Sequence, residues 1–179
     1  MKGLMMMAGA VGVALLMSSG AFAQVPPNPN NPNDNVPDKM SYAPYGAPIT
    51  LADAKKVAAA AEAEAAKRGW DAMCIAVVQP SGDLVYFEKM DNCQFASITI
   101  AQNKARASAR FRRPTLVFET LMGKGPYFSY LPSLGDAFTG SRGGNPIVVG
   151  GKIIGAIGAS GGTGSQDDVI SKAGAAALK

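Results

Sequence analysis

The residues best equipped for chemistry lie in Arg142-Gly143-Gly144-Asn145-Pro146 and, further on, Asp167-Asp168. Glycines beside a turn let a ligand approach the main chain, and an adjacent guanidinium can hold a carboxylate with two hydrogen bonds. Arg142 is therefore an expected anion clamp, with Gly143 and Gly144 as its close-approach positions. The same residues would equally make a turn carrying an exposed arginine. The glycine-rich run Gly158–Gly164 leads into a helix but lacks the Gly-Lys-Ser/Thr ending of a phosphate loop, and Asp167-Asp168 put negative charge where a phosphate would sit. Ser165 with Asp168 reads instead as a capping box. A carboxylate or tyrosine acting as proton-transfer group on a substrate clamped by Arg142 would make a lyase- or isomerase-type enzyme for a small carboxylated or aromatic metabolite.

The chain contains no histidine. Ser/His/Asp and Cys/His catalysis and Cys/His zinc ligation are thereby excluded, no metal site is expected, and no nucleotide-cofactor motif is present. Between Asp91 and Glu119 there is no acid, while Lys104, Arg106, Arg110, Arg112 and Arg113 fall in the interval. This run reads as a solvated basic face or an anion site, with Arg112-Arg113 held against Pro114. Tyr127, Phe128 and Tyr130 follow in a Gly/Pro-bounded segment of the kind that lines a ligand site or plugs the end of a core.

The elements that must position these residues are legible. Thr50-Leu51-Ala52-Asp53 opens a helix with an alanine-rich face, stopped at Gly69. Met73–Gln79 and Leu84–Met90 are strands joined by Pro-Ser-Gly-Asp, and the first is apolar enough for a central strand. Helices are expected over Ala96–Phe111 and Thr115–Met122. A second hairpin pairs Pro146–Val149 with Lys152–Ser160 through Gly150-Gly151, which suits a type I′ turn. Gly155 and Gly158 inside the last strand call for a ligand or a helix packed close to the main chain. A closing helix follows. The expected fold class is α/β (α+β): an antiparallel sheet of two hairpins covered by helices, in a single domain.

Residues 1–23 have the form of a secretory signal peptide: Lys2, an apolar run from Leu4 to Met17, and Ala21-Phe22-Ala23 before the cut. The run is short for a membrane span, so a periplasmic or secreted protein is expected. Seven of the 12 prolines lie in residues 24–48 among repeated asparagines, which reads as a disordered spacer leading to a domain over 49–179. A net charge of +4 does not argue for nucleic acid as a partner. In an oxidising compartment Cys74 and Cys93 can pair, Cys74 facing Lys89 across the first hairpin; two small buried thiols are the alternative.

PSGDLVYFEKMD, the helix ending in FRRPT, and GGNPIVVGGKIIGAIGASGGTGSQDDVISKAGAAAL resemble the GlcG/HbpS-like family of small haem-binding-type proteins, a module also found as the C-terminal domain of PduO-type proteins. The resemblance covers about 49–179. It implies a compact α/β domain assembled as a homo-oligomer, and binding of haem or another tetrapyrrole. In some members it implies haem degradation or corrinoid binding. Without histidine, the iron ligands left are Met73, Met90, Met122, a tyrosine, a free cysteine or a lysine, and the resemblance also allows a threonine or surface contacts. The expected ligand-binding set is Arg112, Arg113, Thr115, Tyr127, Phe128, Arg142, Gly143 and Gly144. A tetrapyrrole or a small organic acid would suit it.

Overall fold

A computed structural model describes residues 43–122, 135 and 138–178. The order is α1 (Leu51–Lys67), β1 (Cys74–Val78), β2 (Leu84–Lys89), α2 (Phe95–Phe111), α3 (Leu116–Met122), β3 (Gly144–Val149), β4 (Lys152–Ser160) and α4 (Gly164–Ala175). The two hairpins join through an antiparallel β1–β4 pairing into one sheet, in the order β2-β1-β4-β3. All five residues of β1 are buried, because this strand is central and covered on both faces. Cys74 pairs with Lys89 across the first hairpin.

Two apolar layers sandwich the sheet. On one face, Ala54, Val57, Ala58, Ala61 and Ala65 of α1, with Ile170 of α4, pack on Ile75, Val77 and Ile157. On the other, Ala101, Ala105 and Ala109 of α2 pack on Cys74, Ala76, Val78 and Ala156. Small side chains let the helices lie close, and the sheet glycines are part of that fit. A Cβ on Gly158 would run into the Ala101 carbonyl and the Ala105 amide, and one on Gly155 into the Val78 carbonyl. Packed main chain, not a ligand, accounts for both glycines.

Each helix start has a local cause. The Thr50 hydroxyl accepts the Asp53 amide at 3.1 Å and begins α1. At α4 the capping box is Thr163 with Gln166, not Ser165 with Asp168 as the sequence suggested: Thr163 Oγ1 accepts the Gln166 amide, and Gln166 Oε1 accepts the Thr163 amide. Asp167 and Asp168, in the first turns of this helix, are both buried. Gly150 and Gly151 both take positive φ, 56° and 73°, as a type I′ turn requires.

Packed chain begins upstream of the expected boundary at Ile49. The Ile153 amide donates to Pro44 O, while the Gly46 and Ile49 amides donate to Ile153 O and Ile154 O, each at 2.8 Å. Residues 44–49 thus run beside the part of β4 that extends past β1, and Tyr45 forms a parallel bridge with Ile153. Signal-peptide residues 1–23 and spacer residues 24–42 lie outside the described residues. Cys74 and Cys93 form a disulfide, with Cα atoms 5.8 Å apart, that ties β1 to the entry of α2. Among the described residues no helix is long and apolar enough to cross a membrane.

Candidate functional site

The candidate residues gather around α3, a two-turn helix lodged between the end of α2 and the Ser141–Gly144 turn. The chain leaves α2 through Arg112, the one non-glycine residue with positive φ (56°) among those described. This left-handed cap parts the two adjacent arginines. Arg112 stands over the Tyr45 ring at 5.5 Å, whereas Arg113 stands over Phe118 of α3 at 5.7 Å and donates from Nε to the Phe111 carbonyl at 3.0 Å. Phe118 belongs to an edge-to-face trio with Phe111 and Phe138, whose centroids lie 5.0–6.4 Å apart. The structure therefore brings Arg113 to α3 and sends Arg112 towards the upstream segment.

Thr115 is fully buried. Its amide donates to the Gly144 carbonyl at 2.9 Å, and its hydroxyl accepts the Gly144 amide at 2.9 Å. This member of the expected ligand-binding set is a buried tie between α3 and β3. Gly144 is equally enclosed, since a Cβ there would strike the Lys104 carbonyl and Thr115 Cγ2. Tyr127 and Phe128 lie outside the described residues.

Arg142 reaches the other flank of α3, where Glu119 holds it. Its Nε and Nη2 donate to Glu119 Oε1 at 2.8 and 2.5 Å, and its own amide donates to Oε2 at 2.8 Å. Nη1 lies 3.4 Å from Ser165 Oγ at the start of α4. The Arg142 hydrogen bonds hold the Glu119 carboxyl below its ordinary value, against the upward push of partial burial, and Lys104 adds to the downward pull. The expected anion clamp exists, but its anion is a side chain of the same protein.

Beneath this turn sits a pair that sequence reasoning missed. Lys104, one of the cations read as a solvated face, is 2% exposed; its Nζ donates to Asp167 Oδ2 at 2.6 Å and to the Ala159 carbonyl at 3.1 Å. Burial pushes the Asp167 carboxyl up, opposed by the Lys104 ammonium and by the Gly162 and Gly161 amides. Gly143, at φ 113°, presses its main chain on the pair: a Cβ there would lie 3.0 Å from Lys104 Nζ. No local signal singles it out: the same acid-free interval holds Arg106, Arg110, Arg112 and Arg113, none of them buried. Asp168 is engaged too, with Lys172 at 2.6 Å and Asn145 Nδ2 at 3.1 Å. Among the described residues no group of three or more His, Cys, Asp or Glu could hold a metal ion.

Of the donors weighed for an iron, the structure removes several. Met73 is buried in the core, Lys104 is committed to Asp167, and both cysteines are in the disulfide. The Tyr45 hydroxyl donates to the carbonyls of Ala109 and Arg110, and that of Tyr86 to Glu88. Met122, at the end of α3 and 40% exposed, is accessible, and its Sδ rests where a side chain on Gly140 would be. Haem presents two carboxylates and a large apolar ring. Arginines on both flanks of α3 match the carboxylates, whereas the aromatic trio is a small core of its own, with Phe118 and Phe138 buried.

A two-hairpin sheet with helices on both faces, carrying this turn and closing helix, defines a small α/β domain of four strands and four helices. The family model described as haem degrading protein HbpS-like matches residues 49–176, and the chain belongs to that family. It is 41% identical over 108 residues to Protein GlcG of Escherichia coli strain K12, covering 60% of this chain and 77% of that protein. The crystal structure of HbpS superposes with a TM-score of 0.68 at 26% identity, covering 80% of this chain and 99% of that one. A PduOC–haem complex shares the fold, with a TM-score of 0.68 at 20% identity over 74% of this chain and 96% of that chain.

Proposed function

We propose that this protein is exported to a periplasmic or extracellular compartment, where it binds haem or a related tetrapyrrole without a histidine ligand. The observation that carries the reading is membership, over residues 49–176, of the HbpS-like family. The α3 surroundings support it. Arg142 and Arg113 would take the propionates, and Met122, 40% exposed at the end of α3, is the methionine nearest the surface there. A bound haem would supply redox chemistry at its iron; the described residues of this chain bind, orient and shield it. The disulfide supports export, since such bonds persist in oxidising compartments. Assembly as a homo-oligomer belongs to the same proposal and is supported by Phe95, 87% exposed at the start of α2.

The lyase- or isomerase-type reading is not favoured. It needs an open carboxylate or tyrosine beside Arg142; Asp167, Asp168 and Glu119 are paired, and among the described residues the Tyr45 and Tyr86 hydroxyls are engaged elsewhere. The test is an absorbance titration of the protein from Gln24 onward with hemin, beside Arg113→Ala and Arg142→Ala. Saturable binding that weakens in both variants is expected. A linear, unsaturating rise would end the tetrapyrrole reading.

A further inference from the structure

We propose that Glu119 is a resident carboxylate seated in a receptor for a ligand's carboxylate, and that a ligand enters by displacing it from Arg142. The inference rests on Arg142 as the anchor of the site proposed above and adds how that site is kept closed.

The contacts of Glu119 are those of a bound ligand more than of a surface ion pair. Both its oxygens are used, one by the guanidinium and the other by the Arg142 main-chain amide. The exposed pair Arg68–Glu64, by contrast, is a single contact between neighbouring turns of α1. Main-chain amides recognise a carboxylate only if the turn that carries them is rigid, and this turn is. Gly144 is fastened to Thr115 through both its amide and its carbonyl, and Gly143 is packed on Lys104 and Asp167. The receptor is thus preformed from the inside.

Its occupant is replaceable from the outside. The Arg142 and Glu119 side chains are 35% and 33% exposed, so a solute carboxylate can reach the pair. On leaving, Glu119 is one-third exposed and can take up water, and the charge of Lys104 still acts on it. The ligand class is any small molecule bearing a carboxylate, haem propionates included.

Displacement predicts that removing Glu119 tightens binding. A closed state favoured by about 1 kcal/mol, at the upper end for a partly exposed ion pair, lowers apparent affinity roughly fivefold. The experiment compares wild type, Glu119→Gln, Glu119→Ala and Glu119→Gln/Arg142→Ala in two titrations. One is hemin followed by absorbance; the other is sodium propionate followed by thermal shift, with circular dichroism to check folding. Expected are hemin binding about fivefold tighter in Glu119→Gln and Glu119→Ala, a larger saturable stabilisation of both by propionate, and loss of each gain in the double variant. Unchanged or weaker binding in both titrations overturns the proposal. So does loss of the folded signal in both single variants, which would make Glu119 a structural tie. If hemin fails to saturate in every variant, the tetrapyrrole reading falls and the propionate titration alone decides this one.

Discussion

Lys104 and Asp167 show how much one buried pair can determine. Two charges taken from water repay their desolvation only when the geometry is good, and removing one partner leaves the other stranded. Lys104→Met should therefore lower stability by about 3–5 kcal/mol, measured by chemical denaturation, while Lys104→Met/Asp167→Leu should recover most of the loss. Equal losses in the single and double variants would show that the lysine stem, not its charge, matters. Glu119 contributes a pH dependence of its own. Its carboxyl is held below the ordinary value of 4.5, so the contribution of its contacts is complete above that value and is lost as pH falls beneath it. The groups facing it are Arg142 on its own turn and Lys104 on α2. Thermal stability of wild type should fall on acidification below pH 4.5 more steeply than that of Glu119→Gln; parallel curves would contradict the assignment. At this scale the sequence was least informative. Arg142 stood out because glycines flank it, but nothing in its neighbourhood pointed to Glu119. Lys104 looked like its solvated neighbours because its partner lies 63 residues away.

Elements were far more legible, because their signals are local. The capping threonine of α1, the alternation and turn residues of both hairpins, and the alanine stripe of α2 each act within a few residues. The error at α4 has the same local character: Thr163–Gln166 and Ser165–Asp168 are both capping pairs in sequence, and the structure uses the earlier one. Two substitutions test how the elements hold together. Gly158→Ala should cost about 2–3 kcal/mol, because the new methyl meets helix main chain rather than a side chain that can move. An unchanged melting temperature would mean that α2 lies less close than described. Opening the Cys74–Cys93 bridge, 19 residues apart in sequence, should cost about 3 kcal/mol, read as a lower melting temperature in reductant. The sequence placed these cysteines one turn apart but left their pairing open, since it did not say whether the chain curls back.

For the whole molecule, the sheet leaves β2 and β3 as its edges, and the pairing of each with its inner neighbour has an irregular register, between Val77 and Val78 and between Ile147 and Val148. Such irregularities bend a strand and discourage edge-to-edge association. Copies of this chain should therefore meet through side chains rather than by extending the sheet. Light scattering should give a multiple of the monomer mass, and Phe95→Ser should lower it. The two-layer architecture could be read from the order of elements, whereas the packed segment 44–49 could not, because its prolines and glycine resemble those of the preceding spacer. The measurement that bears most directly on the central claim is the hemin titration of the histidine-free wild-type protein. A saturable absorbance change that weakens on Arg142→Ala and on Arg113→Ala is expected. A response that never saturates, or one indifferent to both arginines, would contradict it.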